Sequence, residues 1–379
     1  MSSGKRLQII QLLVVMGVFI ASPYLHGGVN FDGKLTPDEH LIDGVDKVVR
    51  EQIEKQGLVG VAVGLVKDGQ VVCVRGFGLA DREASVPVSE KTRFRWASVS
   101  KTVTAFAAML LVQEGKLSLD DDVRRFVPEF PDQGHTITVR DLMCHQSGIV
   151  HYRNGSVIRT ERTYESANPF ENVVNALDTF RESPLIHPPR EKKSYSTHGY
   201  ILLSAVVERA GNERFADQVH RKICEPLRLK SLQPDYQWID LPDRAKGYRR
   251  VGPAVIPSSN SDVSWKLGGG GYISDIRDLA EWASALCRRQ LLDDEHYQIM
   301  WTPQNLKDGS STDAGLGFFV KGDGNDRLIS HDGSQEKSRT RLVISPSRKC
   351  GVVVMCNSEY ASPGPIAAAL MKLLESSAR

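Results

Sequence analysis

The chain has 379 residues, 41% of them hydrophobic and 25% charged, which is enough to bury a large core and too apolar for a disordered polymer. Its formal net charge is only +2 and no long basic run occurs, so the composition argues against a nucleic-acid partner. Six cysteines without a Cys-x-x-Cys pair exclude a zinc framework and a disulfide-dense scaffold, and they read as core thiols.

At the amino terminus Lys5 and Arg6 precede an apolar run from Leu7 to Ala21, broken by Gln8 and Gln11. This reads as a signal peptide or a short membrane anchor, and it falls short of the roughly 20 apolar residues of a spanning helix. Residues 1–28 are therefore set apart from the fold, and residues 29–379 are read as one domain. Thr36-Pro37-Asp38-Glu39 resembles a helix start with Pro in the first turn, and an amphipathic helix is expected from there to about Gln56. The apolar run Leu58–Val66 is followed by Asp68-Gly69 and then Val71-Val72-Cys73-Val74, a strong hairpin signal.

Next comes a helix from Ser98 to a stop at Gly115, apolar on all sides and so expected to be buried. Residues 138–143 form a short helix, and 145–152 a loop. Helical patterns broken by Pro-rich turns then run to about 255, the clearest being Tyr200–Arg209. Gly268–Gly271 reads as a structural turn, since it lacks the Lys-Ser/Thr of a phosphate-binding loop. Strands are expected at 315–320, 327–330, 340–345 and 351–357, with a final helix at about 365–376. Strands thus cluster at both ends of the chain. The expected fold is α/β in the α+β sense: an antiparallel sheet built from both chain ends, flanked by helices, with an inserted mostly helical region at about 125–255. The triplet Asn154-Gly155-Ser156 is a glycosylation acceptor if the chain is secreted.

The chemistry sits first at Ser98 and Lys101. Residues three apart share a helix face, so Ser98 Oγ and Lys101 Nζ can meet within one turn. A serine attacks an acyl carbon only when a base takes its proton. Burial would lower the Lys101 pKa towards that task, while a plain N-cap followed by a surface lysine explains the same pair. Tyr195-Ser196-Thr197 precedes a helix and offers a second polar group; a tyrosine near cations ionises more easily, and the plainer reading is a hydroxyl on solvent. His331-Asp332-Gly333-Ser334 lies at the start of an edge-like strand. Gly333 would permit close backbone approach, so that the Ser334 and Ser98 N–H groups could bind an oxyanion; a simple turn is the alternative. The ten histidines include no His-Glu-x-x-His motif, so neither a metal nor another cofactor is expected; His145 and His151 with Asp141 read as satisfied loop residues.

Taken in order, Gly76-Phe77-Gly78-Leu79-Ala80-Asp81, Ser98-x-x-Lys101, Glu114-Gly115-Lys116-Leu117-Ser118-Leu119-Asp120-Asp121, Leu142 with His145-Gln146-Ser147-Gly148, Tyr195-Ser196, the glycine turn and His331-x-Gly333 resemble the serine β-lactamase superfamily. The branch is that of class C β-lactamases, D-alanyl-D-alanine carboxypeptidases and esterases; within it Val127–Pro131, Ser147–Tyr152, Tyr195-Ser196-Thr197-x-Gly199-Tyr200, Trp265-Lys266-x-Gly268-Gly269-Gly270 and Met300–Pro303 resemble the animal mitochondrial β-lactamase-like group. The resemblance implies Ser98 as nucleophile, Lys101 and Tyr195 as acid and base, and the backbone of Ser98 and Ser334 as oxyanion hole. It places His331, Gly333 and Thr197 beside a small-molecule or peptide substrate. A mitochondrial location follows from the resemblance, whereas the amino terminus points to secretion or membrane attachment. The resemblance also allows homo-oligomers or filaments, and with them an alternative role as a catalytically weak structural protein. Two departures stand out. Thr197 occupies a position that is usually Asn, and Asp332 one that is usually Thr or Ser. A carboxylate at Asp332 would repel a β-lactam carboxylate if it faced the pocket, so weak or no β-lactam hydrolysis is expected.

Overall fold

The computed structural model describes residues 29–30 and 39–376. The leader or anchor expected at 1–28 and the cap at Thr36–Asp38 lie outside the described residues. Strands β2 (Gly60–Lys67) and β3 (Gln70–Asp81) form the expected hairpin, and Asp68 and Gly69 both take positive φ, at 51° and 74°. That backbone is what a two-residue turn needs to match strand twist. Short strands β1 (Val29–Asn30) and β4 (Val86–Pro87) both pair with β3. The carboxy-terminal strands are β10 (Phe319–Lys321), β11 (Leu328–Gln335), β12 (Ser338–Ser345) and β13 (Cys350–Cys356). The sheet runs β1-β3-β2-β13-β12-β11-β10, antiparallel throughout, so the two chain ends meet where β13 pairs with β2.

Both faces of this sheet are covered. Val61, Val63 and Leu65 of β2, with Val352 and Val354 of β13, pack against Leu41, Val45 and Val49 of α1 (Glu39–Gln56) and Ile366, Ala367 and Leu370 of α10 (Pro363–Ser376). The alternate residues Ala62, Val66, Val353 and Met355 join Leu279, Ala280 and Ala283 of α8 (Ile276–Cys287) in a second core. Side chains alternate along a strand, so covering both faces requires the near-continuous apolar run at 58–66. Each fully buried Val or Leu contributes about 1.5–3 kcal/mol relative to exposure.

Helix α2 (Ser100–Gln113) runs through the second core and is buried from Ser100 to Leu111. Gly115 ends it at φ 69°: its N–H bonds Val112 O and the Lys116 N–H bonds Leu111 O, which satisfies the last carbonyls. Thr138 and Asp141 cap each other at α3 (Val139–Met143), a reciprocal pair that starts the short helix. The remaining helices are α4 (Thr197–Gly211), α5 (Phe215–Val219), α6 (Glu225–Leu227), α7 (Leu267–Gly270) and α9 (Asp294–Met300).

The middle of the chain is less regular than the periodicity suggests. Between α3 and α4 the described secondary structure is two short 3₁₀ turns, Pro169–Glu171 and Asn175–Thr179. Pro169, Pro184, Pro188 and Pro189 remove amide donors along this stretch. A hairpin of β7 (Tyr248–Val251) and β8 (Ala254–Pro257) occupies part of the expected helical region. A small sheet, β5 (Phe94–Arg95), β9 (Tyr272–Ser274) and β6 (Gln233–Pro234), leads into the start of α2. All six cysteines are buried.

Candidate active site

The entry to α2 is fixed before Ser98 is reached. Arg95 is buried against Asp235 at 2.6 Å, while its own carbonyl accepts the hydroxyls of Ser338 at 2.6 Å and Thr340 at 3.0 Å from β12. Trp96 donates its ring N–H to Ser274 Oγ at 2.6 Å and its backbone N–H to Tyr272 O. Ser98 itself lies in a 3₁₀ turn, Ala97–Val99, that precedes the α-helix. Ala97 has φ 48°, a left-handed conformation that costs a non-glycine residue energy and persists only where its surroundings hold it. The nucleophile candidate thus stands on a sharp, well-anchored corner.

Lys101 follows on the first turn of α2, fully buried at 0% exposure. Its Nζ lies 3.1 Å from Ser98 Oγ and 3.2 Å from Thr197 Oγ1, and it also donates to the carbonyl of Gly269. No carboxylate pairs with it among the described residues. Burial, and secondarily the charge of Lys266, pushes its pKa well below the ordinary lysine value. The Gly269 carbonyl can only accept, and Thr197 Oγ1 can accept too. A neutral amine that donates to these two keeps its lone pair for the Ser98 hydroxyl. Gly269 must be glycine for this packing, because a Cβ there would meet Thr197 Cγ2 at 2.6 Å.

Tyr195 completes the group. It is half-buried, with Lys101 Nζ 4.9 Å from its ring centre and the His145 ring 4.3 Å away, centre to centre. Burial, above all other causes, pushes its pKa upward. Burial thus acts against the easier ionisation expected of a tyrosine near cations, and it favours the neutral phenol. Behind it stand neutral histidines. His145 Nδ1 accepts the Ser196 N–H at 3.3 Å, and His151 Nδ1 accepts the Thr197 N–H at 3.2 Å. Burial pushes His145 well below the usual histidine value and His151 down to about 3.

The segment His331–Ser334 lies within β11, not at the start of a strand as expected. It is nevertheless an edge. Strand β10 pairs only with Leu328, Ile329 and Ser330, so from His331 onward the outer side of β11 has no ladder partner among the described residues. Gly333 lets β11 close on the Ser98 turn, since a Cβ there would lie 2.4 Å from Trp96 O. His331 is buried, with Nδ1 2.8 Å from Asp332 O. A carbonyl only accepts, so Nδ1 carries the proton and Nε2 is left as an acceptor, buried and unpartnered. Burial, above all, pushes His331 down to about 3. Asp332 is exposed and bonds Arg341 at 2.5 Å across the ladder.

Ser98, Lys101, Tyr195 and Thr197 therefore come together, and β11 brings Gly333 against the same corner. Thr197 is buried and its hydroxyl serves Lys101. The glycine turn was read from sequence as structural only; its part in the site is a backbone carbonyl, which no side-chain pattern reports. Asp141, weighed with the histidines as a ligand, instead caps α3. Among the described residues no cluster of His, Cys, Asp or Glu could hold a metal, and no helix is long and apolar enough to cross a membrane.

Comparison with known proteins identifies the family and the fold. "Protein flp" of Staphylococcus aureus (strain N315) is 26% identical over 329 residues, covering 83% of this chain and 63% of the relative. "Serine beta-lactamase-like protein LACTB, mitochondrial" of Homo sapiens is 27% identical over 296 residues, covering 62% of this chain and 54% of the relative. The chain thus spans less than two thirds of these relatives. The octameric penicillin-binding protein homologue from Pyrococcus abyssi superposes with a TM-score of 0.74 at 26% identity, over 88% of this chain and 77% of that one. The Beta-lactamase family model matches residues 45–375, and the chain belongs to that family of serine hydrolases.

Proposed function

We propose that the protein is a serine hydrolase that cleaves an amide or ester through an acyl-enzyme on Ser98. The observation that carries this reading is Lys101, buried without a carboxylate and 3.1 Å from Ser98 Oγ. Ser98 Oγ attacks the acyl carbon while neutral Lys101 takes its proton. The N–H groups of Ser98 and Ser334 receive the oxyanion. Tyr195, as a neutral phenol, relays the proton from Lys101 to the leaving group, which departs as the C–N or C–O bond breaks. Water then attacks the acyl-enzyme by the reverse proton route and frees the acid and Ser98. His331 and Gly333 form the strand wall beside the substrate, and Thr197 holds Lys101 rather than a substrate side chain. No cofactor enters this cycle.

Peptidase- or esterase-like turnover is favoured over β-lactam turnover on the sequence departures at Thr197 and Asp332; the Asp332 carboxylate is exposed and ion-paired with Arg341, which weakens its repulsion of an anion. The unbroken hydrogen-bond chain through Lys101 favours an active enzyme over a silent structural homologue. The octameric homologue from Pyrococcus abyssi supports an assembled form, to be read by light scattering. The relative named as mitochondrial supports that location over secretion or membrane attachment; imaging a carboxy-terminal tag with and without residues 1–28 tests it. The main test is an ester and peptide panel assayed with the wild type and Ser98→Ala. Turnover that vanishes in the variant supports the reading, and turnover that survives refutes it. Efficient cephalosporin hydrolysis would refute the expected weakness towards β-lactams.

A further inference from the structure

A cavity of about 390 Å³ opens beside Ser334. Its walls include Tyr152 and Trp265, and its charged lining is Arg153, Arg159 and Lys266 against one carboxylate, Glu336. Ser334 ties this cavity to the unpaired edge of β11 and so to the site. Lys266 is its unusual member. The side chain is 7% exposed, yet no carboxylate or hydrogen-bond acceptor pairs with its ammonium among the described residues, and Nζ lies 5.4 Å from the Trp265 ring centre. The carboxylates of Glu336 and Asp262 act on it only through space, so an anion entering the cavity would be its direct hydrogen-bonding partner. Arg153 and Arg159 are exposed on the opposite lining segment, and neither forms an ion pair among the described residues. Guanidinium groups bind carboxylates through paired N–H donors. Asp332 does not line this cavity, so its repulsion acts at a different place from the attraction of Lys266.

We propose that this cavity is an anion-selecting subsite, in which Lys266, Arg153 and Arg159 bind a carboxylate carried by the ester or amide that Ser98 attacks. The proposal rests on the hydrolase reading and adds to it a substrate class: acyl compounds with a free carboxylate some atoms from the scissile bond. The aromatic walls accommodate the apolar spacer between the two groups. Lys266 also lowers the Lys101 pKa, so the cavity and the base share one electrostatic field.

The test separates binding from chemistry by using Ser98→Ala. Its affinity is measured for the p-nitrophenyl half-ester of adipic acid and for the neutral p-nitrophenyl heptanoate, and for 4-carboxyphenyl hexanoate against phenyl hexanoate. The first pair carries the anion on the acyl side and the second on the leaving side. At least one anionic probe is expected to bind about tenfold more tightly than its neutral partner. Adding Lys266→Met removes that preference, and adding Arg153→Ala with Arg159→Ala at the exposed rim reduces it without touching a buried position. Equal affinities in both pairs overturn the proposal, as does a preference that survives both sets of substitutions. Labelling of the wild type by a serine-reactive phosphonate reads the hydrolase reading separately: without it that reading falls, while the binding comparison still decides the subsite.

Discussion

Two buried lysines lie in or beside the site, and their surroundings differ. Lys101 has three hydrogen-bond partners, the hydroxyls of Ser98 and Thr197 and the carbonyl of Gly269. Lys266 has none among the described residues and opens onto a cavity. Burial lowers the pKa of both. The difference teaches that desolvation alone does not define a base. What makes Lys101 suited to proton transfer is that the acceptors around it consume its donors and leave a lone pair for Ser98. Lys266, with nothing to donate to, is suited to hold an anion.

The comparison can be broken most severely at Lys101. Lys101→Met should reduce turnover of an ester by about 10²–10⁴-fold, the usual contribution of a general base, in a steady-state assay. A variant within a few-fold of wild type would remove Lys101 from the chemistry. Next in size is Gly333→Ala. The new Cβ must displace the Trp96 carbonyl, and the expected cost is about 1–3 kcal/mol by denaturant unfolding, with a loss of turnover as β11 moves off the Ser98 corner. Lys266→Met should act more mildly, raising the KM of an anionic ester about tenfold while kcat changes little. A matching rise for the neutral ester would make Lys266 a packing residue instead of an anion site.

A pH series sharpens the contrast further. The folded-state pKa of Lys101 lies below its unfolded value, so between the two values the unfolded chain binds more protons. Stability of the wild type should therefore rise relative to Lys101→Met as pH climbs towards the unfolded value of 10.5. The histidine wall acts on the acid side. With His151 and His331 held at about 3, stability should fall as pH drops below 6.5, when the unfolded chain takes up protons that the fold refuses. Thermal melts across pH read both slopes, and flat profiles would contradict the burial argument.

Much of this was legible in the residues. Asp68-Gly69 announced the hairpin, and the all-apolar stretch after Ser98 announced a buried helix. The apolar runs near the carboxy terminus gave β12 and β13 to within a few residues. Ser98, Lys101 and Tyr195 stand out as candidates only through the ordered family motifs, since local spacing leaves plainer readings open; the fold brings the three side chains together. The β7–β8 hairpin escaped because it is mostly exposed and has no apolar alternation to read. The 151–196 stretch escaped because prolines and tertiary contacts override its polar, helix-like pattern. The Gly269 carbonyl and the lack of partners at Lys266 are invisible in principle. One is a backbone group, and the other is a relation between residues distant in the chain.

The most direct test is the rate of covalent labelling by a serine-reactive phosphonate at neutral pH, with the modified residue identified by mass spectrometry in the wild type and in Lys101→Met. The account predicts modification at Ser98, slowed by about 10² or more when the lysine is lost. Labelling elsewhere, or at an equal rate in both proteins, would contradict it.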